Sequence, residues 1–447
     1  MNDSALVIAA YLIVVLAIGA FRRRIKGLED FHLAGRSIKL VYLTGTFCAS
    51  IIGASSTLGM AGIGFSSGLP GAWWMLSGTA GLLVLAVLFA GRVRKTGCYT
   101  LPELVGTFYG QRARCAAAVL IVISWIGVVA VQIQASGKVL GAVLGGDQTL
   151  FMAACAAVFV LYTMHGGQSS VIKTDLVQLL IILAGMIVLF TSAWEAAGPE
   201  LLSGQSFPTS PQMGGWDVLT MLVVVGSAYL VGPDMHSRML SAHSPGEARA
   251  SAAISALILI PLAFIITSLG IFAHSLYPAA SPEEAIPLLM TGLLSPALQG
   301  LVAAAMLAAF MSSADTSLMT AASIFTLDIF RKAFSNSGEH RLMAVSRISV
   351  AIIGLSALAL AVSMPGIIKT LMMAYTVFTS GLLLPVIAGF YKERLGLTSS
   401  GALAALAGGG ITAILFGQSH PLLGMAVSAS LLFGISWLER MFRRQGA

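Results

Sequence analysis

An all-α integral membrane protein is the fold class this sequence predicts, on three observations. Hydrophobic residues fill 57% of its 447 positions and charged residues only 10%, where a soluble chain carries roughly a quarter. Apolar runs of about 20 residues, the length that crosses a bilayer, recur from end to end. The Lys and Arg residues, finally, gather in alternate connections between those runs, the signature of a fixed orientation in a membrane.

The runs predict about 13 spans, near 5–21, 41–64, 72–90, 113–143, 149–164, 172–194, 217–233, 248–276, 296–328, 342–363, 367–391, 399–417 and 421–439. Counting connections alternately puts 23 of the 25 Lys and Arg on one side, among them Arg22–Arg24, Lys26, Arg36, Lys39, Arg114, Lys173 and Arg238. Lys138 and Lys369 are the two that fall elsewhere, and the opposite connections carry Glu195, Glu200, Glu283 and Glu284. The expected orientation is N-terminus outside and C-terminus cytoplasmic, in a plasma (bacterial inner) membrane. The net charge of +7 is thus topology and not a nucleic-acid patch. Residues 1–4 lack a basic n-region, and the first apolar run ends in Arg22-Arg23-Arg24, so that run is expected to be a retained helix and not a cleaved signal. The four cysteines (Cys48, Cys98, Cys115, Cys155) lie in spans or on the basic side and read as small apolar fillers.

Between the spans, Trp194–Trp216 and Tyr277–Pro296 read as outer loops. Tyr99–Tyr109 is too polar to span and suits a short interfacial helix, with Thr100 as its cap and Pro102 in its first turn. Two spans are poor continuous helices. Ser50–Gly64 holds Gly53, Gly59, Gly62 and Gly64 with four hydroxyl residues, and Gly226–Asp234 meets Pro233. Two interrupted spans five apart point to an inverted-repeat carrier with its site near the midplane; alternatively the glycines serve close helix packing.

The most informative stretch is Leu307–Ser317, where Ser312, Ser313, Asp315 and Thr316 interrupt an apolar run. An uncompensated Asp at bilayer depth costs at least ~2.5 kcal/mol, so Asp315 must face protein, water or an ion. At ~100° per residue Ala309, Ser312, Ser313 and Thr316 share one helical face with Asp315 at its edge, a stripe of hard oxygens such as a small cation binds.

Six motifs in order then carry a resemblance. They are Phe31-His-Leu-Ala-Gly-Arg-Ser37; the Gly-rich second span ending at Leu69; Thr100-Leu-Pro-Glu-Leu104; Gly166-Gly167 followed by Thr174-Asp-Leu-Val-Gln178; Gly232-Pro-Asp-Met-His-Ser-Arg238; and Met311–Ser317 with Thr326-Leu-Asp-Ile329. Over residues 31–330 the sequence resembles the sodium:solute symporter family. The resemblance implies one transmembrane domain over 1–447, a LeuT-like 5+5 inverted repeat at 41–195 and 217–391, one extra N-terminal helix (5–21) and two C-terminal helices (399–439). It implies a principal sodium site from the carbonyls of Ala49, Ile52 and Ala309 and the hydroxyls of Ser312 and Ser313. A second site, found in some members, would use Asp175, Ser312, Asp315 and Thr316. Asp175 also reads as a helix-end cap or gate paired with Lys173 or an Arg, and Asp315 as a structural hydrogen-bonding group.

The implied solute pocket draws on Ser50, Ile51, Gly53, Ser55, Ser56 and Thr57, on Gln132, Gln134 and Ser136, and on Ser227, Tyr229 and Tyr375. It departs from the sugar branch, which has an acid–amide pair at Ser55 and Ser56, and from the proline branch, which has Asp at Ile51. Hydroxyls and amides without a carboxylate in the first helix favour a small polar organic solute, an organic acid or amino acid first. Lys138 and Lys369 read as snorkelling end residues that would otherwise attract an anion. His236 is assigned to a cytoplasmic-end cluster. The expected partners are sodium, a small solute and the lipid bilayer, with no organic cofactor, nucleic acid or obligate protein partner. Titration of Asp175 or Asp315 would make the same fold proton-coupled, and a non-transporting solute sensor is the other alternative. An enzyme would need a nucleophile–base pair, a metal cluster or a carboxylate dyad at common depth, and the histidines lie mostly in loops.

Overall fold

The computed structural model describes residues 3–20, 27–364 and 366–445. The predicted basic run Arg22–Arg24 and Lys26 lies outside the described residues. The described chain is nearly all helix. By length and composition nine helices can cross a membrane, or ten if the bent pair Leu40–Ile51 and Ser55–Ser67 is one span.

In chain order the helices are α1 (Asp3–Ala20), α2 (Leu28–Leu33), α3 (Leu40–Ile51), α4 (Met60–Ser67), α5 (Trp73–Val84), α6 (Leu101–Tyr109), α7 (Gln111–Leu144) and α8 (Gln148–Ala197). The second half continues with α9 (Gly215–Leu230), α10 (Pro233–Ser241), α11 (Pro245–Leu276), α12 (Ala285–Leu293), α13 (Pro296–Ile324), α14 (Glu339–Ser363), α15 (Ile367–Gly389), α16 (Ser399–Phe416) and α17 (Leu423–Gln445).

Helix α13 is the axis of the molecule: Val302 through Ile324 are all buried, so its serines and Asp315 never meet lipid. The opposite pattern marks α14, where Ile348, Ile352 and Leu355 are exposed and Ser346 and Ser349 are buried. That inversion, apolar outside and hydroxyl inside, is what a bilayer solvent selects. Close approach depends on small residues. A Cβ on Gly64 would sit 2.3 Å from the Thr267 carbonyl oxygen, and one on Gly270 1.9 Å from that of Ala61, so α4 and α11 touch backbone to backbone. At Gly59, Gly62 and Gly64 packing is therefore the role the structure shows; the break lies earlier, at Gly53.

Several local readings hold in detail. Thr100 Oγ1 accepts the Glu103 N–H at 3.1 Å while Glu103 Oε2 accepts the Tyr99 N–H at 2.7 Å, a reciprocal cap on α6. The two spans predicted around Gly166-Gly167 form the 50-residue α8, bent at Gly167 (φ 63°, ψ −178°). The backbone leaves helical geometry at Gly167, so the stretches before and after it are separate helical arms. The predicted outer loop Tyr277–Pro296 is instead largely ordered as α12. Its Ala285, Ile286, Leu289 and Met290 are buried, because apolar residues three and four apart give a short amphipathic helix. Just before it, the Ser281 hydroxyl and N–H hold the exposed Glu284 carboxyl below its usual range. Lys138 pairs with Glu283, which also accepts the Ile367 N–H at 2.8 Å; this lysine is a tether between α7, this segment and α15 and not a snorkelling end. At the basic end Arg114 Nε binds Asp328 Oδ1 at 2.6 Å, tying α7 to the π-helical segment Phe325–Phe330 that continues α13.

Candidate ion and solute site

The break after α3 creates the first cluster of oxygens. Ile52 adopts φ −81°, ψ 77°, and the Gly53 N–H turns back to the Ile51 carbonyl at 3.0 Å, an inverse γ-turn. In an unbroken helix that N–H would bond Ala49, and the Ala54 N–H would bond Ser50. The Ala54 N–H goes instead to Gln132 Oε1 at 2.9 Å, so both carbonyls are released. Ile52, one step on, has a carbonyl that accepts no hydrogen bond among the described residues.

Helix α13 meets these carbonyls with its serine pair. Ser312 Oγ donates to the Ala49 carbonyl at 2.7 Å and lies 3.1 Å from that of Ala309. Ser313 Oγ donates to the Ser50 carbonyl at 2.9 Å. Only glycine fits opposite them, since a Cβ on Gly53 would lie 2.6 Å from Ser313 Oγ. Ala49, Ala309 and Ser312 are thus in direct contact. Ser313 meets the Ser50 carbonyl, which is not among the five expected ligands, and neither serine bonds the Ile52 carbonyl. Carbonyl and hydroxyl oxygens without a formal charge are the donor set that suits a small hard monovalent cation.

A second cluster adjoins the first through Ser50 and Thr316, whose hydroxyls are 3.2 Å apart. Asp315 Oδ1 accepts the Thr163 hydroxyl at 2.9 Å, and Asp175 Oδ2 accepts the Thr46 hydroxyl. Asp175 Oδ1 and Asp315 Oδ2 are both buried with no hydrogen-bond partner among the described residues. Arg238 stands among them, fully buried, with Nη2 2.5 Å from Thr316 Oγ1, also bonded to Ser50 Oγ, and 3.7 Å from Asp175 Oδ2. Its Nε donates to the Thr46 carbonyl at 3.2 Å. Arg238 is thus no basic-side loop charge, and of the two partners expected for Asp175, Lys173 or an Arg, it is the arginine that stands beside it. His236, assigned to an end cluster, is likewise buried, with Nδ1 2.9 Å from the Gly232 carbonyl. The cause is shared: α10 is a short polar helix that folds into the bundle immediately after α9.

A small cavity of about 30 Å³, room for about two waters, opens beside both clusters. Of the residues expected around a solute, Ser50, Ile51, Gly53, Ser55, Gln132, Tyr229 and Tyr375 line it. Ser56, Thr57 and Ser136 lie outside it, with hydroxyls satisfied by the carbonyls of Ile51, Gly53 and Gln132 at 2.7, 2.8 and 2.8 Å. Thr57 and Ser136 thus make the i→i−4 back-bond common to helical hydroxyls, while Ser56 reaches back across the break. Gln134, too, is elsewhere, donating to the Ala361 and Met364 carbonyls. Trp125 and Asp234 also line the wall, and neither was expected there from the sequence. The motif Gly232-Pro233-Asp234 carried a signal for the latter, an acidic residue at a helix start inside a span.

A model of the sodium:solute symporter family matches residues 31–409. This chain belongs to the sodium:solute symporter family. Among sodium:solute symporters and their kin, it is 29% identical to the sodium/glucose cotransporter of Vibrio parahaemolyticus, over 89% of this chain and 82% of that protein. It is 27% identical to sodium/glucose cotransporter 4 of Danio rerio and 26% to the sodium/myo-inositol cotransporter of Bos taurus, spanning 60% and 56% of those longer chains. A Na+-coupled sialic acid symporter in a substrate-bound outward-open state superposes with TM-score 0.83 at 16% identity, over 98% of both chains. A nucleobase-cation-symport-1 family transporter in a closed conformation matches at TM-score 0.50 and 13% identity, over 93% of this chain and 94% of that one. The likenesses to solved structures establish a transporter fold for this symporter; like its family, it is a membrane transporter and not an enzyme.

Proposed function

We propose that this chain couples sodium to the movement of a small polar organic solute by alternating access, within a LeuT-like 5+5 repeat over 41–195 and 217–391. Thirteen spans follow if α8 counts twice about Gly167 and if α1 and α17 also cross; the extra helices then sit one before and two after the repeats. The orientation read from charge, N-terminus outside in a bacterial inner membrane, belongs to the same proposal.

The observation that carries this reading is Ser312 bridging the released Ala49 carbonyl to the Ala309 carbonyl at 2.7 and 3.1 Å. Sodium entering among the Ala49, Ile52, Ala309, Ser312 and Ser313 oxygens would replace hydroxyl–carbonyl bonds with coordination, clamping α3 to α13 beside the cavity. The solute would sit against Ser50, Ile51, Gly53, Ser55, Gln132, Tyr229 and Tyr375, in a cavity that must widen to admit it. Asp175, Asp315, Thr316 and Ser312 offer a second cation position, next to which Arg238 already holds a positive charge. That guanidinium competes with an ion there, since it occupies the Thr316 hydroxyl.

Uptake by proteoliposomes under an inward sodium gradient, against potassium and proton gradients of equal size, tests the proposal. Sodium-driven accumulation is the expected result; accumulation driven by protons alone would overturn the assignment of the coupling ion.

A further inference from the structure

Among the described residues Asp234 is the one charged residue on the cavity wall, and the sodium cluster does not use it. It lies in the first turn of α10, where its carboxylate takes the Met235 N–H and faces the positive end of the helix. A helix-start role accounts for its position in α10 but not for its partial exposure toward a cavity inside a buried bundle. Among the described residues it forms no direct ion pair, although the Arg238 guanidinium attracts it from one turn away. Arg238, one turn further on, reaches Asp234 only through the main-chain carbonyl, at 3.3 Å, and directs its remaining donors to Thr46, Ser50 and Thr316. Arg238 is shared, because its Nη2 also lies 3.7 Å from Asp175 Oδ2, so Asp234 holds only part of one positive charge at a depth where a carboxylate is costly, and a cation from outside the chain would complete its neutralisation.

The same wall holds an unmatched donor. Trp125 lines the cavity, is buried, and its Nε1–H has no partner among the described residues. An acceptor-only group and a donor-only group thus border one small space, with the aromatic faces of Tyr229 and Tyr375 between apolar neighbours. Aromatic faces also attract a desolvated cation.

We propose that the solute is a small zwitterion without net negative charge, its ammonium group set against Asp234 and an oxygen acceptor turned to the Trp125 Nε1–H. This rests on the reading of the cavity as the solute site and narrows it: an organic acid lacking an amine is excluded, because its carboxylate would face Asp234 with no cation supplied by the wall.

The test measures thermal stability of purified protein in sodium with three probes: neutral amino acids (alanine and proline), polyols (glucose and myo-inositol) and simple carboxylates (acetate and propionate). Wild type is expected to gain stability from an amino acid, with Asp234→Asn weakening that solute's apparent affinity about tenfold or more. The sodium-dependent shift without solute should persist in Asp234→Asn, which shows that the variant folds. Trp125→Phe should weaken the same solute while preserving the aromatic wall. Stabilisation by a carboxylate or a polyol instead, undiminished in Asp234→Asn, would overturn the inference and leave sodium–solute coupling standing. Sodium stabilisation that no probe enlarges would overturn it too, by removing the solute site on which it rests.

Discussion

Removing the Arg238 guanidinium should expose how much of this bundle is held by one buried charge. Arg238 and Asp175 both have fully inaccessible side chains, with Nη2 3.7 Å from Oδ2. At an effective dielectric of ~20 the pair attracts by about 4.5 kcal/mol. Taking away one partner strands the other, which for buried pairs costs ~3–5 kcal/mol. The hydroxyls of Ser50 and Thr316 lose less, because at 3.2 Å they retain each other. Arg238→Met should therefore lose about 4 kcal/mol, or roughly 4 °C in Tm given the unfolding entropy expected of a chain this long. Asp175→Asn should lose a similar amount, leaving the arginine stranded. The double variant carries neither charge and should recover to within ~1–2 kcal/mol of wild type. Thermal melts in detergent, in potassium, read all four proteins of the cycle. In sodium, Arg238→Met should recover more than wild type gains, since the competing cation is gone. Losses that simply add in the double variant would refute the pairing, and equal sodium gains would refute the competition.

Other outcomes follow from single contacts. Ser313→Ala should raise the sodium concentration needed for uptake about tenfold, the loss of one ligand of ~1.4 kcal/mol, and Ser312→Ala should raise it further because that hydroxyl touches two carbonyls; the sodium dependence of initial uptake rates checks both. Gly64→Ala drives a Cβ to 2.3 Å from the Thr267 carbonyl oxygen and should cost ~1–3 kcal/mol or prevent folding, seen in expression level and melting temperature. His32, outside the spans and buried, is pushed down to about 3 by desolvation, and its Nδ1 lies 2.5 Å from Ser323 Oγ. Because that folded value lies below the unfolded 6.5, the unfolded chain alone takes up the proton between them. Stability should hold above pH 6.5 and fall on acidification below it, by about 2 kcal/mol at pH 5; His32→Asn should flatten that slope in pH-dependent melts.

Much of the architecture was legible because it is local. The Thr100 cap and the Ser312–Ser313 face depend on residues three or four apart, and Gly53 announces a break through its own missing side chain. The close packing at Gly64 was legible as an alternative, since small residues mark helix contacts without naming the partner. What the sequence hid is long-range and polar. Arg238 is 188 positions from Ser50, and its polar nine-residue helix resembles a loop end in any average of hydropathy. An unpaired internal Asp175 was the available hint that some distant arginine must lie inside. Asp234 was masked by the same segment, and the sequence could not show that nearby carbonyls take up the hydroxyls of Ser56, Thr57 and Ser136.

The most direct measurement of the central claim is the melting temperature of the purified protein in sodium against potassium at equal ionic strength. A bound ligand stabilises the state that binds it, so a sodium-specific rise, diminished in Ser312→Ala, is the result predicted by a cation site between α3 and α13. Equal melting in the two salts, or a sodium rise undiminished in Ser312→Ala, would contradict it.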